Sequence, residues 1–239
     1  MRSRFFRLAQ NRAGFSIVEL LVVISIIAVL STVALFYASA HKKLYQPDDQ
    51  ALQLADMLQE ARQRALTQRR VMRVEINLTT NTAKLYDENT NATSSSDDSM
   101  IKAMNLFSTN NVRVDTRPSE ISYNPAESLP VPNAVFKSSV YTPSAAQNVC
   151  TIRFLPNGSA VDAGTNATGT GAVATGVTLH IWAPNKIDNT KSDIARAITV
   201  LGATGVIRLW EFDHNSTAAN KWKDSRRSSS YGTSGNTGP

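Results

Sequence analysis

The chain contains a single cysteine and only three histidines, and each scarcity excludes a class of protein. One thiol, Cys150, excludes a fold held together by intrachain disulfides. The histidines, His41, His180 and His214, are far apart in the sequence and match no metal-ligand spacing. No nucleophile lies within a recognisable catalytic motif. The sequence therefore predicts a protein that is not an enzyme and that needs no metal or other cofactor.

Glycine and proline are absent from residues 15–46, and the first part of this stretch is nearly free of charge. From Phe15 to Phe36 there are 22 residues and one charged side chain, Glu19. At about 1.5 Å per residue, a helix of this length crosses a hydrocarbon core of about 30 Å. Valine and isoleucine are frequent here, but a single segment in lipid satisfies its backbone only as a helix. The sequence predicts a transmembrane helix that continues as a stem to residue 46.

The first 14 residues form a leader with four arginines and no acidic residue. A secretory signal peptide carries its apolar region before the cleavage site, whereas this apolar region follows the leader. Positively charged residues favour the cytoplasmic side of a membrane. We therefore expect the leader in the cytoplasm and the bulk of the chain on the other side of the membrane.

Gly14 ends the leader, Phe15 follows it, and Glu19 is the fifth residue after the leader. Together with the apolar run, this arrangement resembles the prepilin leader and N-terminal helix of the type IV filament superfamily, which includes pilins and type II secretion pseudopilins. The resemblance implies that the prepilin peptidase, which is also a methyltransferase, cuts between Gly14 and Phe15. It then methylates the new amine of Phe15. The alternative is an uncut signal anchor.

Glu19 is costly in an apolar segment, because a carboxylate at the centre of a bilayer costs about 3 kcal/mol or more. One explanation is that the helix dipole and the membrane interface reduce this cost near the N-terminal end. The resemblance implies another: Glu19 of one subunit neutralises the amine on Phe15 of its neighbour during filament assembly.

Pro47 is predicted to break or redirect the helix, with Asp48 and Asp49 in N-cap positions of a second helix over 47–70. That helix has an apolar stripe at helical spacing, formed by Leu54 or Ala55, Leu58, Ala61, Ala65 and Leu66. The arginines of this helix are expected on its solvated face; they are Arg62, Arg64, Arg69 and Arg70. We expect the apolar stripe to pack on a sheet.

From Val71 the apolar residues alternate with polar ones, which predicts a hairpin with its return strand at 83–87. Residues 88–99 have little to bury and are predicted to form a mobile surface loop. Further strands are predicted at 112–115, 121–123, 134–141, 149–155, 177–182, 197–201 and 206–212. The predicted fold class is therefore α+β: a pilin-like long N-terminal helix packed on an antiparallel β domain over 71–213.

Two single residues in these strands carry predictions of their own. Cys150 shares a strand face with Ile152 and Phe154, which predicts a buried, unreactive thiol. His180 alternates with Leu179 and Ile181, which predicts that it lies on the exposed face.

Two later segments resemble one particular family within this superfamily. Residues 152–160 resemble the "F-x-P-x-G" segment of the GspH/FimT family, and residues 197–209 resemble the closing strand pair of that family. The family often has "Gly-Arg-x-Arg" in this hairpin. Here Val206 replaces the first arginine and only Arg208 remains. This departure weakens the case that this chain has any function that depends on the pair of arginines.

The net charge of +6 comes from the two ends of the chain: the leader carries +4 and residues 214–239 carry +3, which leaves −1 for the rest. Residues 214–239 are predicted to form a flexible basic tail. Alternatively, basic and aromatic residues near this end could bind DNA by charge and stacking. The candidate residues are Arg208, Lys221, Trp222, Lys223, Arg226 and Arg227.

The resemblance implies a minor pseudopilin or minor pilin that helps to initiate and assemble a type II secretion pseudopilus or a type IV pilus. It implies a single-pass protein of the inner membrane with its C-terminal domain in the periplasm. Its implied partners are other pilins or pseudopilins through the N-terminal helix, the peptidase, the inner-membrane assembly platform and the lipid bilayer. Two alternatives remain open: a DNA-binding minor pilin for natural transformation, and an anchored periplasmic domain without a filament.

Overall fold

A computed structural model describes residues 16–88, 98–122, 124–127, 136–137, 147–166, 168–174, 176–184, 195–217 and 221–225. One long helix, α1 (Ile17–Gln68), precedes a series of strands that pair in the antiparallel sense. The chain divides into two units, Met1–Lys42 and Lys43–Pro239. The predicted α+β class, an apolar N-terminal helix followed by an antiparallel β domain, is confirmed.

The helix α1 continues through Pro47, so the predicted break and the separate helix over 47–70 are wrong. Proline lacks one N–H group and forgoes the hydrogen bond to the carbonyl four residues earlier, but the turns on either side keep their own bonds. Pro47 is also buried, so its packing offsets part of that cost. Asp48 and Asp49 lie inside the helix rather than at an N-cap, and Asp49 Oδ1 accepts a hydrogen bond from Gln53 Nε2 at 2.9 Å.

The predicted apolar stripe of the helix is buried, apart from Leu66, which is 37% exposed. The buried side chains on this face are Ala51, Leu54, Ala55, Met57, Leu58, Ala61 and Ala65. Among the arginines expected on a solvated face, Arg62 is half-buried, and its Nε and Nη2 donate to the carbonyl oxygen of Thr204 at 3.2 and 3.1 Å. Its side chain therefore ties the helix to a turn 142 residues away.

The strands of the described chain form two sheets. Their bounds are β1 (Val71–Asn77), β2 (Thr82–Glu88), β3 (Ser99–Asn105), β4 (Arg113–Asp115), β5 (Phe136–Lys137), β6 (Val149–Phe154), β7 (Ala160–Val161), β8 (Val177–Trp182), β9 (Arg196–Val200), β10 (Ile207–Phe212) and β11 (Trp222–Asp224). Sheet A has the order β3-β2-β1-β6-β5, with β7 also paired to β6. Sheet B has the order β11-β10-β9-β8-β4.

The main core lies where the buried face of α1 meets one face of each sheet. Strand alternation supplies the sheet side of this core, with Met72, Val74 and Ile76 from β1 and Leu179 and Ile181 from β8. A second, smaller core covers the opposite face of sheet B and contains Ile121, Ala195, Ala197, Trp210, Phe212 and Trp222. Every tryptophan of the chain is in this second core or packs against it.

Several predicted boundaries of strands, of a loop and of the tail in the β domain are wrong. Glu88 belongs to β2 and Ser99 begins β3, so both ends of the loop predicted over 88–99 are wrong; positions 89–97 lie outside the described residues. Ile121 is buried but belongs to no strand, and of the strand predicted over 134–141 the structure describes only β5. The flexible tail predicted over 214–239 contains β11, which pairs with β10.

Candidate assembly site

The apolar segment Ile17–Tyr37 is long and apolar enough to cross a membrane, and the rest of the described chain buries none of it. Its large apolar side chains are between 46% exposed, at Val23, and 79% exposed, at Ile17. An uncovered apolar surface of this extent marks a contact with lipid or with other proteins. The segment is therefore the strongest candidate for an assembly surface.

Two hydroxyl groups inside this segment are bonded within the helix itself. The hydroxyl groups of Ser25 and Thr32 donate to the carbonyl oxygens of Leu21 and Ala28, each at 2.8 Å. Each bond joins a residue to the one four positions earlier, so neither hydroxyl needs a partner outside the helix. This arrangement suits a lipid environment, where an unsatisfied polar group is costly.

Glu19 lies in the first turn of α1, three residues after Ser16, which caps the helix. The Ser16 hydroxyl oxygen accepts from the Val18 amide at 3.3 Å, and the Ser16 carbonyl accepts from the Leu20 amide at 3.1 Å. The positive end of the helix dipole therefore lies beside the Glu19 carboxylate. Gly14 and Phe15 lie outside the described residues.

In the described part of the chain, each basic residue predicted to bind DNA has a polar partner within the same chain. Arg208 Nη1 pairs with Glu127 Oε1 at 3.0 Å, and Lys221 Nζ donates to the carbonyl oxygen of His214 at 2.8 Å. Lys223 pairs with Asp213, and this bond holds the pKa of the Asp213 carboxyl below its ordinary value. Arg226 and Arg227 lie outside the described residues.

Trp222 departs most clearly from its predicted role, because its side chain is only 4% exposed. Its ring meets the rings of Phe212 and His180 edge to face, with centroids 5.2 and 5.6 Å apart. A ring enclosed in this way has no free face on which a base could stack. Trp222 is buried because its large apolar side chain is more stable packed in the second core than exposed to water.

Sequence reasoning missed a buried cluster of charged side chains on the face of sheet A opposite the main core. We call it the ionic cluster; its members are Arg73, Glu75, Glu88, Asp98 and Arg153. Strand alternation predicts these strand positions on a solvated face, but Arg73 and Arg153 are only 2% and 4% exposed. The available signal was the presence of opposite charges on one face of neighbouring strands.

Burial and ion pairing shift the pKa values of Arg73 and Glu75 in opposite directions. Burial by itself would lower the pKa of Arg73, but the Glu75 charge and the bonds to Asp98 and Glu88 raise it above its ordinary value. Burial raises the pKa of the Glu75 carboxyl, and the charge of Arg73 and its hydrogen bond offset this only in part. Arg73 is thus held in its charged form.

The predicted buried cysteine is confirmed, and the predicted surface histidine is wrong. Burial raises the pKa of the Cys150 thiol to about 12, so the thiol stays protonated and unreactive. The side chain of His180 is fully buried, because the second core covers the sheet face that alternation predicts to be exposed. Within the described ranges, no group of three or more His, Cys, Asp or Glu side chains could hold a metal ion.

The two segments that resemble the GspH/FimT family lie against each other in the structure. The turn at Gly158 (φ +84°) and the turn at Gly205 (φ +60°) pack so closely that a Cβ on Gly205 would lie 2.1 Å from the Gly158 carbonyl oxygen. Ala160 N donates to the carbonyl oxygen of Gly202 at 2.7 Å. Glycine is therefore required at position 205 for both its backbone angle and its close approach.

Residues 9–35 match the family model of the prokaryotic N-terminal methylation motif, a segment that contains Gly14, Phe15 and Glu19. No curated protein shows significant sequence similarity to the chain. The type IV minor pilin FimU of Pseudomonas aeruginosa is similar at 17% identity, over 72% of this chain and 92% of FimU, with a TM-score of 0.39. The minor pseudopilin EpsH from the type 2 secretion system of Vibrio cholerae is similar at 15% identity, over 69% of this chain and 94% of EpsH, with a TM-score of 0.38.

Proposed function

We propose that the chain is a minor pilin or minor pseudopilin, a non-catalytic subunit of a filament assembled at the inner membrane. The observation that carries the proposal is the methylation motif at residues 9–35, which continues into a helix with an uncovered apolar surface. An ordinary membrane anchor explains the apolar surface but not the motif. A filament subunit uses both, because its helix passes from the lipid into a bundle of like helices.

In this proposal the prepilin peptidase cleaves between Gly14 and Phe15 and methylates the amine of Phe15. Cleavage at this bond removes the four arginines of the leader but leaves the apolar helix attached to the protein. The leader lies in the cytoplasm before cleavage, because its positive charge opposes translocation. The β domain then lies in the periplasm.

Glu19 is the residue to which the proposal assigns subunit contact. Cleavage creates an amine on Phe15, and Glu19 of the neighbouring subunit supplies the opposite charge. The pair forms in a low-dielectric bundle, where the attraction between two charges is stronger than in water. The same chemistry would guide the helix into register with other pilins or pseudopilins and with the assembly platform.

A role in DNA uptake is not favoured by the geometry of the basic residues. Trp222 is enclosed, while Lys223 and Arg208 each pair with a carboxylate of the same chain. We therefore place the protein in a type II secretion pseudopilus or a type IV pilus as a structural subunit, where it helps to initiate assembly.

The proposal is tested first by cleavage. We expect Gly14→Val to block processing, because a branched side chain replaces hydrogen next to the cleaved bond. The wild-type chain should yield a mature protein that begins with N-methylated Phe15, as measured by intact mass and by sequencing of the N-terminal peptide. Asn11→Val is the matched control in the same leader and should be processed normally.

The result that contradicts the proposal is a wild-type chain that keeps residues 1–14 in cells whose prepilin peptidase processes its other substrates. The chain would then be an uncut signal anchor, and a methylated terminus would not form.

A further inference from the structure

The ionic cluster joins three neighbouring strands of sheet A through one carboxylate. Glu88 Oε1 on β2 accepts from Arg73 Nη1 on β1 at 3.0 Å. Both Glu88 oxygens accept from Arg153 Nε on β6 at 2.9 Å, and Arg153 Nη2 also donates to Glu88 Oε2. Glu88 therefore bridges two guanidinium groups.

Each guanidinium group also holds a segment that comes from outside these three strands. Arg73 Nη1 donates to Asp98 Oδ2 at 2.5 Å, and Asp98 immediately precedes the edge strand β3. Arg153 Nη2 donates to the carbonyl oxygen of Thr168 at 3.3 Å, in the connection between β7 and β8. The cluster thus links two segments that are 70 residues apart in the sequence.

The second of these segments is shaped to fit the cluster. Gly169 (φ +71°) lies directly against the guanidinium group of Arg153, and a Cβ at this position would be 1.0 Å from Arg153 Nη1. Within the same loop, Thr165 N donates to the Thr170 carbonyl oxygen at 2.8 Å. The contact between loop and cluster is therefore made by backbone and charge rather than by apolar packing.

The energetics of buried ion pairs indicate whether such a cluster contributes to the stability of the domain or to the choice of its conformation. Desolvation of the charges offsets most of the attraction between them, so an intact buried network adds little net stability. Removal of one partner, by contrast, leaves an uncompensated buried charge and is strongly destabilising. Such a network consequently determines which arrangement of segments is adopted more than how stable the domain is.

We propose that the ionic cluster is a conformational latch that holds the Asp98 segment and the 168–172 loop on sheet A together and releases them together. The helix and the inner faces of the sheets are packed by apolar side chains and do not depend on the latch. Release opens the polar face of sheet A and makes the guanidinium groups of Arg73 and Arg153 accessible. This device is independent of the N-terminal helix and of the proposed role in a filament.

The test is hydrogen exchange measured by mass spectrometry on the full chain in detergent micelles. Asp98→Asn removes one charge at nearly constant shape. We expect exchange to rise at least about tenfold at residues 98–101 and also at residues 168–172, since the hydrogen bond from Arg73 loses the charge of its acceptor and opening is local. Exchange in the buried helix at 51–65 and in β1 should stay at the wild-type rate.

The matched control is Glu60→Gln, which removes an acid paired with Lys102 of the same strand β3 at 3.0 Å. That pair is largely exposed, so its loss should leave exchange unchanged. Gly169→Ala perturbs the 168–172 loop instead of the Asp98 segment, and so tests the same coupling in the opposite direction. It also replaces Asp98→Asn as the test if that variant does not fold. It displaces the guanidinium group of Arg153 and should raise exchange at 98–101 as well as at 168–172.

Faster exchange in both segments with either variant, and an unchanged core, supports the latch. A rise confined to the mutated segment overturns it, because the two segments would then open separately. A uniform rise across the helix and both sheets also overturns it, because the cluster would then be part of the global core.

Discussion

Gly205 shows how one residue without a side chain controls the meeting of two turns. Its φ of +60° lies in the left-handed region, and the Gly158 carbonyl oxygen occupies the place where a Cβ would be. Arg62 reaches the same turn from the helix through the Thr204 carbonyl oxygen. Three parts of the domain therefore converge on a point where only glycine fits.

We expect Gly205→Ala to lower the free energy of unfolding by about 1–2 kcal/mol for the left-handed backbone and by about 1–3 kcal/mol more for the clash. Gly171→Ala is the matched control, because Gly171 has a similar φ of +72° but its nearest neighbour, Thr165, is 3.6 Å from the added carbon. Urea unfolding followed by tryptophan fluorescence measures both losses. Equal losses in the two variants would show that the close approach is unimportant.

His180 is a titratable group enclosed in the second core. Burial lowers its pKa to about 3, and the positive charge of Arg117 contributes in the same direction. Its neighbours in register across the sheet are Asp115 on β4 and Ala197 on β9. Asp115 is engaged by Arg113, whose Nη2 lies 2.6 Å from Asp115 Oδ2, so this neighbouring carboxylate already has a cationic partner.

Stability should therefore fall with acidification through the titration of His180. In the unfolded chain the ring takes up a proton near its ordinary pKa of 6.5, whereas in the folded chain it stays neutral down to about pH 3. The stabilising contribution is complete above pH 6.5 and is lost as the pH falls towards 3, at up to about 1.4 kcal/mol per pH unit.

We expect His180→Leu to remove this part of the pH dependence between pH 6.5 and pH 4, while His214→Leu keeps it. The measurement is the free energy of unfolding in urea at several pH values, read from the tryptophans that surround His180. A wild-type slope in the His180→Leu variant would contradict the assignment.

At the scale of elements, the strand β11 changes the interpretation of the C-terminal region. Trp222 and Asp224 pair in register with Phe212 and Trp210 of β10, and the Trp222 side chain closes the second core. The sequence around it is basic and rich in small polar residues, which is typical of a tail. The ordered strand therefore combines backbone pairing to β10 with the burial of one aromatic side chain.

We expect Trp222→Ala to lower the free energy of unfolding by about 3–5 kcal/mol, because a large side chain is removed from a packed core. Lys221→Ala, at the preceding residue, should change it by less than about 0.5 kcal/mol. Thermal unfolding followed by circular dichroism distinguishes the two variants. A Trp222→Ala variant as stable as the wild type would mean that the region behaves as a tail.

The helix α1 shows which element boundaries can be predicted. Its apolar span and its buried stripe follow from the spacing of residues along the sequence. Its passage through Pro47 does not, because Pro47 is buried in the folded chain and its packing offsets part of the cost of the lost hydrogen bond. Local propensity therefore predicts the elements, and tertiary packing decides whether two of them merge.

At the scale of the whole molecule, the positive net charge is concentrated at the two ends of the chain. Residues 1–14 carry +4, the last 26 residues carry +3 and the remainder carries −1. Removal of the leader in the proposed maturation would leave a chain of +2, with its amine on Phe15 and one acid in the apolar segment. The charges available for contact between such helices in lipid are then the amine and Glu19.

We expect Glu19→Ala to insert into the membrane and to be processed, but to enter filaments at least about tenfold less than the wild type. The reason is that an unpaired amine in a low-dielectric bundle costs more than about 1.4 kcal/mol. Glu120→Ala is the matched control, since it removes an exposed acid from the β domain. Filaments sheared from cells and quantified by immunoblotting give the measurement, and wild-type incorporation of Glu19→Ala would disprove this role.

The sequence by itself determined the features that depend on neighbouring residues: the apolar segment, the methylation motif, the antiparallel β domain and the buried Cys150. These follow from composition, spacing and strand alternation, which are local properties. Only the tertiary structure decided that Arg73, His180 and Trp222 are buried. The physical reason is that alternation separates the two faces of a strand but does not tell whether a distant segment covers the second face. In this protein distant segments cover the outer faces of both sheets, with charged partners on sheet A and aromatic side chains on sheet B.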